Sequence, residues 1–177
     1  MKEYYRSLLT LATYAEHSSN LLCEAITGNC HTCVAEISDL NRQAIAELAE
    51  IERRLRTTAT CIGARILLSA YALADCTHRA FDAALLLTGE MSQRTRLEEI
   101  ALCNCTLAEY PRRLLEGESV DFFALHLCAN KARGAHALLL SGGFSAGSRT
   151  LLPLLLALQA HRDQLENACG TIPCEAG

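Results

Sequence analysis

Asp75, His78 and Asp82 stand at i, i+3 and i+7, a spacing that places two carboxylates and an imidazole on one face of a helix. Oxygen and nitrogen donors in that arrangement can hold a metal ion. Arg79 follows Asp75 by four residues, so an intrahelical salt bridge competes for the same carboxylate. A second row is formed by Gln159, Asp163 and Glu166, with His161 nearby. Charged rows on exposed helix faces are the ordinary surface of a helical bundle, and we expect that of both. No resident cofactor is expected. If a divalent metal or iron binds, Asp75, His78, Asp82, Asp163 and Glu166 are its expected ligands.

Ten cysteines offer a second kind of chemistry. The run Cys30-His31-Thr32-Cys33 has the spacing of half a zinc site. A structural site needs a second pair, and Cys103-Asn104-Cys105 sits mid-helix with the wrong spacing. Cys23, Cys61, Cys76, Cys103 and Cys128 lie in stretches rich in Ala and Leu, where Cys acts as a small apolar filler. We expect reduced thiols and no disulfide framework.

Other catalytic patterns are missing. The sequence has no Gly-rich dinucleotide loop after a strand, no His-Glu-x-x-His and no Glu-x-x-His pair. The run from Gly142 to Arg149 spaces two glycines like a phosphate loop, but Ser148 replaces the Lys that such a loop requires. It reads as a helix–helix turn with an N-cap.

Helices must position these residues. Half of the 177 residues are apolar, led by Ala and Leu, only 5% are aromatic and only three are proline. That composition favours helix over strand, and the expected class is all-α. Breakers divide the chain into six segments: 2–27, 30–59, 62–88, 92–115, 120–140 and 148–168. The second carries the clearest signal, because Val34, Ile37, Asn41, Ala44, Leu48, Ile51, Leu55 and Thr58 alternate steps of three and four. Pro111 should kink the fourth segment or cut its last turn loose. Gly117-Glu118-Ser119 supplies a turn and an N-cap for the fifth, and the tail after Gly170 should be loose. Long helices joined by short turns pack antiparallel, so the expectation is one six-helix bundle built as two three-helix halves, 1–89 and 90–177.

The net charge is −4, the pI is near 5.9, and basic residues form no run, which argues against nucleic-acid binding. Met1-Lys2-Glu3-Tyr4 opens an amphipathic segment and not a secretory signal. No apolar stretch approaches the roughly 20 residues needed to span a bilayer. The expected location is the cytoplasm.

Three segments also resemble a known family. Tyr4-Tyr5-Arg6-Ser7-Leu8-Leu9 with Ala15-Glu16 and Leu21-Leu22, Thr60-Cys61-Ile62 with Ala70-Tyr71-Ala72-Leu73-Ala74-Asp75, and Leu154 to Gln159 with Asp163 to Ala168 are similar to the first, third and last helices of PhoU-like phosphate transport regulators. The chain resembles especially the smaller subfamily found beside Pit-type phosphate transporters. The resemblance implies two three-helix repeats, no catalysis, and action through contact with a phosphate transporter or a signalling protein; a second copy of the chain is a further candidate partner. The family's acidic-x-x-x-Asp metal pairs are broken here. Arg79 follows Asp75, Gln159 precedes Asp163, and Ala129-Asn130-Lys131-Ala132-Arg133 has no acidic pair, so the metal sites are expected to be largely lost. A metal- or redox-handling bundle and a structural adaptor are the alternative readings.

Overall fold

A computed structural model describes residues 2–28, 32–56, 61–87, 94–141 and 151–172. They form six helices: α1 (Lys2–Thr27), α2 (Cys33–Leu55), α3 (Cys61–Leu85), α4 (Arg94–Leu115), α5 (Phe122–Ser141) and α6 (Leu151–Thr171). No strand occurs among the described residues, as the composition predicts. The expectations for Asn29, Cys30, His31, Thr58, Gly89, the run 142–149 and the tail from Pro173 fall outside the described residues.

Four helices form the centre. α1, α3, α6 and α4 pack as a ring in which each touches the next. α2 lies against α1 and α3, while α5 lies along α4 and touches α6 only sparsely. Exchanging α1 with α4, α2 with α5 and α3 with α6 leaves this set of neighbours unchanged. The two three-helix halves therefore share one pattern of neighbours, although their sequences share no residue-level repeat.

The seam of α2 is buried at Ile37, Asn41, Ala44 and Ile51. Leu48 and Leu55 are half-buried against the core, and Val34 is exposed. Cys33 and Leu40 are buried instead. The reason is geometric: a helix resting on two neighbours buries a band wider than one heptad seam.

Helix ends depart from expectation in three places. α4 continues through the buried Pro111 to Leu115, so its last turn is not cut loose. Its last turn is held by Arg112, which bridges Glu16 and Glu116, each at 2.6 Å. Glu118 N donates to Arg113 O and Gly117 N to Leu114 O, with Gly117 in the left-handed region at φ 76°; this is a Schellman stop. The N-cap of α5 is Asp121 and not Ser119, because Asp121 Oδ1 accepts from Phe123 N at 2.9 Å and Ala124 N at 3.1 Å. α6 continues past Gly170 to Thr171, and the buried Ile172 N donates to Ala168 O.

Candidate functional site

The core is not continuous. Leu8, Leu11, Ile51, Ile66, Leu73, Leu107, Leu125 and Leu165 belong to one apolar cluster. Leu22, Ile26, Ile37, Leu97, Ile100, Leu139, Leu154 and Leu158 belong to another. Along the chain, most buried polar residues fall between the two sets, Ser18 and Ser19 on α1, Asn41 on α2, Thr77 on α3, Asn104 on α4, and His161 and Arg162 on α6, and His136 on α5 borders them just past Ala135. Every helix contributes to this belt.

At the centre of the belt, His161 is fully buried. Its Nδ1 lies 2.9 Å from the Cys76 carbonyl oxygen. A carbonyl can only accept, so Nδ1 carries the proton and Nε2 accepts from the Ser19 hydroxyl at 2.8 Å. Cys105 Sγ donates to Ser19 O at 3.1 Å. A polar line thus crosses the ring from α4 through α1 and α6 to α3. Burial holds the His161 imidazole at a pKa of about 4, although its bond to Cys76 opposes this, so the ring is neutral at physiological pH. Serine beside histidine resembles a nucleophile and its base. Here a backbone carbonyl, not a carboxylate, orients the imidazole, and both groups are sealed from solvent. The pair is a core hydrogen bond.

In the second half the belt is less complete. Asn104 Nδ2 donates to Leu158 O at 3.2 Å, but its Oδ1 has no hydrogen-bond partner, nor do both His136 ring nitrogens or Arg162 Nε and Nη1. Burial lowers the His136 pKa, and the Arg162 charge lowers it further. Arg162 reaches Asp163 at 3.4 Å and Glu166 at 3.8 Å.

The residues first singled out as ligands lie outside this belt and are engaged by cations or held apart. Asp75 and Asp82 both pair with Arg79, at 3.5 and 3.3 Å. His78 lies 3.8 Å from Asp82 and takes its other nitrogen to Asn41 at 3.3 Å. Glu166 accepts from Arg133 at 2.7 Å, and Asp163 faces Arg162. Among the described residues, no three His, Cys, Asp or Glu side chains converge on one metal position. His161 does not share the exposed row with Asp163, since it points into the core. Its signal was present in the sequence: Leu154, Leu158, His161, Leu165 and Ala168 keep the three–four step, and Ser19 occupies the same register between Ala15 and Leu22.

The cysteines divide. Cys33 is disulfide-bonded, which corrects the expectation that all ten thiols are reduced. That expectation rested on compartment, whereas pairing is decided by local Cα geometry. Its sulfur is thereby no thiolate ligand for zinc. Cys23, Cys76, Cys103, Cys105, Cys128 and Cys169 are free thiols. Burial pushes the Cys169 thiol up to about 12 and raises Cys76 strongly, as fits core fillers.

On the surface, Leu102, Phe122, Phe123, Leu127 and Leu138 of α4 and α5 are exposed. Leu102 and Leu127 line a groove of about 590 Å³ between these helices, with Cys103, Cys128, Glu98 and Lys131. Compared with known proteins, the chain matches no family model and no curated sequence. No helix among the described residues is long and apolar enough to cross a membrane.

Proposed function

We propose that this chain acts by binding and not by catalysis, as a regulator of phosphate transport that docks on a transporter or an associated signalling protein. The observation that carries the binding reading is the apolar outer surface of α4 and α5. Phe123 is 78% exposed and Leu127, one turn further along the same helix, 62%, and large apolar side chains left in water on one helix face support an interaction site there. A bundle of this sort regulates by binding two states of its partner with different affinity. The phosphate connection rests on the resemblance of α1, α3 and α6 to the PhoU-like regulators, and the paired three-helix halves agree with it. The net charge of −4 suits a membrane partner whose cytoplasmic loops are rich in Lys and Arg.

Deleting the gene is expected to alter phosphate uptake or its response to phosphate supply, while the purified protein hydrolyses no phosphoester. A photo-crosslinker at Leu127 should capture the transporter in cells, and Leu102→Glu with Leu127→Glu should abolish capture while leaving helicity unchanged. Unchanged uptake with no transporter captured would replace this reading by that of a structural adaptor.

A further inference from the structure

We propose that Cys23 on α1 and Cys105 on α4 form a dithiol site that a peroxide oxidises reversibly to a disulfide joining the two three-helix halves. The placement begins with Ser19. Its carbonyl accepts the Cys105 Sγ–H at 3.1 Å, and in a helix that same carbonyl receives the amide of the residue four places on, which is Cys23. The Cys105 sulfur therefore lies beside the turn that carries Cys23, near enough for the two thiols to perturb each other. Both are free. Cys105 is partly exposed, whereas Cys76 on the far side of the ring is sealed.

Roles within the pair follow from that proximity. When Cys23 ionises, Cys105 can turn its one S–H from the Ser19 carbonyl to the Cys23 sulfur, which lowers the Cys23 pKa below the ordinary thiol value and raises that of Cys105. Cys23 is thus the attacking sulfur and Cys105 the resolving one. The Cys23 thiolate attacks one peroxide oxygen; the O–O bond breaks, water leaves after protonation, and Cys23 becomes a sulfenic acid. The Cys105 sulfur then attacks Cys23, expels the hydroxyl as a second water and closes the S–S bond. Two thiols are oxidised and one hydrogen peroxide is reduced to two waters.

The molecule supplies its own comparison. Cys103 and Cys128 are a second neighbouring pair, with Cys128 Sγ 3.4 Å from Cys103 O, and both line the α4–α5 groove. There burial pushes the Cys103 thiol up to about 11. Its thiolate fraction at neutral pH is therefore below that of an ordinary thiol, whereas that of Cys23 is above it, so Cys23 is expected to react first.

The test uses the full chain, hydrogen peroxide and non-reducing peptide mapping. Cys23 and Cys105 are expected to be linked first, with loss of two hydrogens, before Cys103 and Cys128 react, and to be restored by dithiothreitol. Cys105→Ser should stop at a Cys23 sulfenic acid that dimedone traps, and Cys23→Ser should leave Cys105 unreacted. Should either variant lose helicity, phenylarsine oxide on the unmodified chain serves instead, because it bridges adjacent thiols; bridging of Cys23 to Cys105 that blocks peroxide linkage is the supporting result. Oxidation of Cys103 with Cys128 first, disulfides between chains first, or Cys23 and Cys105 both still reduced after the other thiols react would each overturn the proposal.

Discussion

His161 shows how one buried side chain links stability to pH. Its folded pKa of about 4 lies below the ordinary value of 6.5, so the unfolded chain takes up the proton first as pH falls. The contribution is fully present above about pH 6.5, is lost as pH drops towards 4, and then stays lost. A difference of that size corresponds to about 3 kcal/mol. Urea unfolding at neutral pH and near pH 4 should therefore show a steep loss for the native chain, and His161→Gln should remove about that much of the slope. A variant with the same slope would mean that the imidazole is not held neutral. At this scale the sequence was only half legible. The exposed rows around Asp75 and Glu166 could be read from spacing, including their competition with arginine. The belt was hidden because Ser19, Asn104, His161 and Arg162 occupy core positions with polar types, and pattern alone does not say whether such a residue ends a seam or is buried in it.

Helix register is where the belt has its structural effect. The ring helices are rich in Ala and Leu, and such faces can slide past one another at little cost. A hydrogen bond from Ser19 to His161, or from Asn104 to Leu158 O, is lost on sliding and leaves a buried polar group unpaired. The same logic separates positions within α2. Ile51 is fully buried and Leu48 only packs at the core margin. Ile51→Ala should cost about 2–5 kcal/mol and Leu48→Ala distinctly less, as read from denaturant midpoints; equal losses would contradict the packing of α2. Element existence was legible because long stretches with a three–four apolar step leave little choice but helix. Ends were less so, since capping depends on backbone geometry: Asp121 and Ser119 are equally good N-cap types, and only the turn set by Gly117 selects between them.

Across the whole molecule, the pattern of neighbours shared by the halves assigns α2 and α5 the same outer place, but they are not equally secured. α2 rests on both α1 and α3, whereas α5 rests on α4 and touches α6 only sparsely. The all-α bundle of six helices needed only segment lengths and short turns to be read from the sequence. The inequality between the outer helices was not legible, because it depends on how deeply each sits between its neighbours. Its consequence is kinetic. Opening free energies in a native protein vary from segment to segment, and the helix with the least buried contact opens first. Backbone amides of α5 should therefore exchange with deuterium ahead of those of α2, and the Leu125, Ala129 and Ala132 amides should lose protection while α1 and α3 are still closed. Exchange of α2 ahead of α5 would reverse this order. Where α5 lifts, the inner walls of the second half meet water before any other part of the core does.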